Sequence, residues 1–108
     1  MDGFDFLGVG KYTSLMVDMQ IKDWGKSVII DCLYHPNKRM PYRIICSNCE
    51  KIKWIIDKEE IEDLDYENLL DIIGIEIIKE FSVNKVMCHT HAIDFWIICE
   101  NIEIEKSW

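Results

Sequence analysis

Apolar and polar residues alternate one by one along this chain, in short runs broken by turn residues. From Leu15 to Lys22, Leu15, Val17, Met19 and Ile21 point one way; Met16, Asp18, Gln20 and Lys22 point the other. A period of two is the pattern of a strand with one face buried. Composition agrees. Alanine, the best helix former, occurs once, at Ala92, while isoleucine, a strand former, is everywhere.

The same logic divides the rest of the chain. Asp23-Trp24-Gly25-Lys26 reads as a turn, and Val28 to Tyr34 as the return strand, with Val28, Ile30, Cys32 and Tyr34 on one face. His35 to Pro41 contains two prolines and reads as a loop. Tyr42–Cys46 and Cys49–Ile56 read as two strands, the second with Ile52, Trp54 and Ile56 on one face. Ser47-Asn48 lies between them as a turn or bulge. Residues 57–71 are strongly acidic, with Lys58 as the only base. They form a loop or a short helix near 58–68 that carries Ile61 and Leu64 inward. Leu70 to Lys79 is a strand with Ile73, Ile75 and Ile77 inward, followed by strands at Val86–His91, Asp94–Cys99 and Ile102–Glu105. Trp108 follows the last strand and is expected to tuck back onto it. The sum predicts an all-β fold: a single antiparallel β-sandwich or partly open barrel of 7–8 strands spanning 1–108.

At 108 residues the chain is one domain. Its formal charge of −8 disfavours nucleic acid, whose phosphates need a basic surface, and disfavours anionic membranes. A basic protein is the natural electrostatic match. No apolar run approaches the roughly 18 residues of a membrane helix. Met1-Asp-Gly-Phe-Asp-Phe carries acids and no basic region, unlike a secretory signal. Five cysteines, an odd number, fit buried thiols in a reducing compartment. The expectation is a cytoplasmic protein.

Two clusters hold most of the reactive side chains, Cys46-Ser-Asn-Cys49 and Cys88-His89-Thr-His91. As strings they match the halves of a zinc site. On regular strands, however, Cys46 and Cys49 point to opposite faces, as do Cys88 and His91. A bulge at Ser47-Asn48 would bring both Cys46 and Cys49 to the core as small hydrophobes. His89 and His91, two residues apart on a strand, would share an outward face while Cys88 and Thr90 face the core. Core packing is the preferred reading, with no cofactor. A metal-binding (zinc) protein using Cys46, Cys49, Cys88 and His91, or His89 with His91, is the alternative.

No other chemistry has a signature. Cys32, Cys46 and Cys99 sit among Ile, Leu and Trp, where thiols are inert packing. Gly3, Gly8 and Gly10 lack the strand and helix of a phosphate loop, and the carboxylates of 57–71 lack calcium-loop spacing. The expectation is a non-enzymatic domain that binds a protein. Its leading surface is the acidic cluster Glu59, Glu60, Glu62, Asp63 and Asp65, together with an outward-facing Trp96. Edge strands also permit a homodimer.

Several segments carry a resemblance: Gly10-Lys-Tyr-Thr, Val17-Asp-Met-Gln-Ile-Lys-Asp-Trp-Gly-Lys, Asp31-Cys-Leu-Tyr-His-Pro, Asn48-Cys49 with Ile52 and Trp54, and Glu103-Ile-Glu-Lys-Ser-Trp. With these the chain resembles small bacterial all-β proteins of unknown function. More loosely, in size, charge and strand pattern, it resembles immunity proteins of bacterial toxin systems, which are small acidic cytosolic β domains that bind and neutralise a toxin. The resemblance implies a role in protein binding, with no required site at the histidines of 88–91.

Overall fold

The computed structural model describes residues 14–35, 37–64 and 67–106. The N-terminal segment, Asp65 and Trp108 discussed above lie outside them. Among the described residues the elements are β1 (Ser14–Lys22), a 3-10 turn (Asp23–Gly25), β2 (Ser27–Tyr34), β3 (Met40–Ile56), one short α-helix α1 (Lys58–Glu62), β4 (Leu70–Glu80), β5 (Val83–Thr90) and β6 (Ile93–Lys106). The strands form one antiparallel barrel in the order β1-β2-β3-β6-β5-β4. It closes through three pairs between β1 and β4: Ser14 with Ile72, Leu15 with Asp71, and Met16 with Leu70. The fold is all-β, as the alternation predicts. Among the described residues no helix is long and apolar enough to cross a membrane.

Among the described residues six strands replace the expected seven or eight, because two interruptions are bends rather than breaks. β3 pairs with β2 up to Ser47, then continues along β6 from Cys49 to Ile56. β6 makes the matching turn, so that both strands serve two halves of the barrel. At the corner Asn48 takes φ 53°, its side chain bonds Glu100 at 3.3 Å, and the register shifts between Cys49 and Lys51. Asparagine tolerates this left-handed conformation better than most residues. Cys46 continues the inward set of Tyr42 and Ile44, and Cys99 that of Phe95 and Ile97, while the slip after Cys46 turns Cys49 toward the same corner of the core.

Two other slips correct the expected inward faces. On β1 the register shifts between Met16 and Asp18. Ser14 and Met16 therefore point inward ahead of the bulge, while Val17 is 43% exposed. On β4 the shift lies between Ile72 and Gly74, so Ile72, Ile75 and Ile77 are buried and Ile73 is 57% exposed. One extra residue reverses every side chain on one side of it.

The barrel interior is filled by Val28, Ile30, Ile44, Ile77, Val86, Phe95 and Ile97, each fully buried. A buried side chain of this kind contributes about 1.5–3 kcal/mol relative to exposure. Trp54 stacks on Phe95, with centroids 5.8 Å apart and planes 19° apart. Tyr42 turns its hydroxyl toward Ser14 and Cys32, and burial pushes it above the usual tyrosine range. Ile61 and Leu64 pack onto the core, as expected of the acidic segment.

Candidate functional site

The turn between β5 and β6 organises the surface with the most chemistry. Thr90 is buried, and its Oγ1 accepts the N–H groups of Ala92 at 3.2 Å and Ile93 at 2.8 Å while donating to the Ile93 carbonyl at 2.8 Å. Ala92, the lone alanine, is buried in this turn, and its carbonyl accepts the Asp57 N–H at 2.8 Å. Asp57 in turn caps α1, accepting from Glu59 N–H at 3.1 Å and Glu60 N–H at 3.2 Å. One small turn therefore fixes β5, β6 and the start of the acidic helix together.

This turn separates the two histidines. His91 leaves the strand, so the expected shared strand face does not form. Its Nδ1 accepts the Asp71 N–H at 3.2 Å. His89 stays on β5, opposite Asp94 in the ladder, and its Nδ1 contacts the Asp94 carboxylate. With Nδ1 engaged, Nε2 is the His89 nitrogen that remains for another group.

Cross-strand register lays out the outer face in rows. Ile55, Asp94, His89 and Gly74 form one row; Lys53, Trp96, Met87 and Glu76 the next; Lys51, Ile98, Lys85 and Ile78 a third. Trp96, Met87, Ile98 and Ile78 are half-buried, which makes an apolar centre with charged neighbours. Trp96 faces outward, as its parity predicts, and Lys53 Nζ sits 5.4 Å from its ring centroid. A trough of about 610 Å³ opens beside Trp96, over Gly74, Glu76, Met87, His89 and Asp94. A second trough of about 610 Å³ shares His89 and Asp94 and runs to His91, Asp57 and Glu59. Both lie within the volumes that ligand side chains or small molecules occupy. Gly74 deepens the first, since an added Cβ there would meet nothing within 4 Å.

Of the residues singled out from sequence, Trp96, His89, His91 and Glu59 meet along these two troughs. Glu60, Glu62 and Asp63 are exposed on or beside α1, and Lys58 pairs with Glu62 at 4.0 Å. The cysteines and histidines of the zinc alternative do not come together as one site. Cys46 lies opposite Ile102 and Cys88 opposite Phe95, seven positions away on β6, or roughly 20 Å of strand. Cys46 and Cys49 meet Cys99 instead, and Cys88 faces Cys32. Among the described residues no group of three or more His, Cys, Asp and Glu is placed to hold a metal ion. Glu76, Met87, Gly74 and Asp57 were missed. Their signal depends on the β4 slip and the turn at Thr90, which periodicity within one strand does not report.

No protein-family model matches the chain, and no curated protein sequence does. The fold is similar to the crystal structure of an uncharacterized protein from Neisseria gonorrhoeae. The TM-score is 0.67 at 21% sequence identity, covering 87% of this chain and 91% of that one. That likeness concerns the architecture alone.

Proposed function

We propose that this chain is a non-enzymatic protein-interaction domain that binds a basic protein partner, in the manner of an immunity protein. The observation that carries the reading is the outer face of β4, β5 and β6. A half-buried Trp96 and Met87 lie at its centre, with Lys51, Lys53 and Lys85 on one side and Glu76, Asp94 and, through the adjoining trough, Asp57 and Glu59 on the other. Interface cores favour Trp and Met, and the carboxylates along the troughs favour cationic groups of a partner on that side. The net charge of −8 adds a long-range attraction for the same partners.

Affinity capture from a cell lysate tests this with three variants. Gly74→Val projects a side chain into the first trough, where a Cβ meets nothing within 4 Å, and Trp96→Ala removes the anchor. A third variant neutralises Glu59, Glu60, Glu62 and Asp63. The partner is expected to be basic, to be lost with either of the first two variants, and to be held more weakly by the third and in high salt. A partner retained unchanged by all three would overturn the proposal.

A further inference from the structure

Three of the five cysteines converge where β3 and β6 bend. Cys49 lies directly opposite Cys99 in the antiparallel ladder. The Cys99 sulfur also meets the Cys46 thiol, and the Cys49 thiol reaches the Cys46 carbonyl at 3.5 Å. Residues directly opposite in such a ladder have Cα atoms about 4.5–5.5 Å apart, inside the roughly 4.4–6.8 Å that a disulfide spans. No other two cysteines are ladder partners: Cys32 pairs with Met16 and Tyr42, and Cys88 with Ile75 and Phe95. Access singles out Cys49 as the thiol that meets the small disulfide first. Cys46 and Cys99 are fully buried, whereas Cys49 is only partly so.

We propose that Cys49 and Cys99 are a disulfide-forming pair, closed by exchange with a small disulfide of the glutathione type. The Cys49 thiolate attacks one sulfur of the small disulfide. A mixed disulfide forms on Cys49, and one small thiolate leaves and takes up the proton that Cys49 lost. The Cys99 sulfur then attacks the Cys49 sulfur. The Cys49–Cys99 bond forms, the mixed disulfide breaks, and a second small thiolate leaves with the Cys99 proton. Two cysteines lose two electrons, and one small disulfide becomes two thiols. Cys46 is a positioning residue in this scheme. Its S–H donates to Cys99, and this donation outweighs the opposing effect of burial and favours the thiolate on Cys99. Burial, then the charge of Cys99, pushes the Cys49 thiol up to about 11, so the first step is slow at neutral pH.

The folded chain is incubated with oxidised glutathione at mildly alkaline pH, quenched with acid and unfolded. Free thiols are then counted and peptides mapped by mass spectrometry. The count is expected to fall from the five free cysteines to three, with one bond joining Cys49 to Cys99. Cys99→Ser is expected to stop at a glutathione adduct on Cys49. Cys49→Ser, at the milder, partly exposed position, is expected to keep its remaining thiols free. Five free thiols in the wild type, a mapped bond between any other pair, or a disulfide formed as readily in Cys49→Ser would each overturn the proposal.

Discussion

Phe95 and Trp96 are neighbours in sequence, aromatic and on one strand, yet they belong to different regions of the molecule. Phe95 is 1% exposed, stacked on Trp54 inside the barrel. Trp96 is half-buried on the outer face, at the centre of the candidate binding surface. The difference teaches that hydrophobicity alone does not separate core from interface on a β-barrel. The face of the strand decides, and each face has its own experimental signature.

The largest effect is expected at the inner face. Phe95→Ala should lower unfolding stability by about 3–5 kcal/mol, read from denaturant midpoints, because it leaves a cavity under Trp54. A loss below about 1 kcal/mol would mean that the two faces are not distinct.

A second test uses the interior thiols. Burial, above all other causes, raises Cys32 and Cys88 from 9.0 to about 12. The folded state therefore holds these protons more tightly than the unfolded chain does. Their contribution is complete below pH 9 and is lost as pH rises toward 12, by up to about 1.4 kcal/mol per pH unit for each thiol. Chemical denaturation across that range should show the fall. Cys32→Ala should flatten it, and a flat profile in the wild type would contradict the burial of these thiols.

The outer face should behave in the opposite sense. Trp96→Ala should change stability by about 1 kcal/mol or less, yet weaken partner binding by about thirtyfold or more, as interface anchors do. Calorimetric titration against the captured partner reads the binding, and thermal unfolding reads the stability. The smallest effect is expected at the exposed hairpin tip, where Phe81 holds φ 53° with its ring in solvent. Phe81→Gly should stabilise by up to about 1 kcal/mol, since glycine adopts this conformation freely. A destabilised variant would show that the tip belongs to neither face as described.

Alternation within single strands made much of this molecule legible from sequence. It placed Val28, Ile30 and Cys32 inside, Phe95 and Ile97 inside, and Trp96 outside, all as found. The acidic segment's inward Ile61 and Leu64 were legible for a different reason, as apolar residues three apart in a charged stretch, the spacing of one helix face. The inward faces of β1 and β4 were not, because a bulge adds one residue on one strand only. Nor was the meeting of Trp96 and His89 with Glu76 and Glu59, which lie in four separate segments of the chain. Side-chain alternation is a local property, carried by each strand's own residues, so the sequence by itself determined the all-β class and most of the core. Register and bulges depend on the partner across the ladder. Only the closed barrel therefore decided which outward side chains share a surface and which three cysteines share a corner.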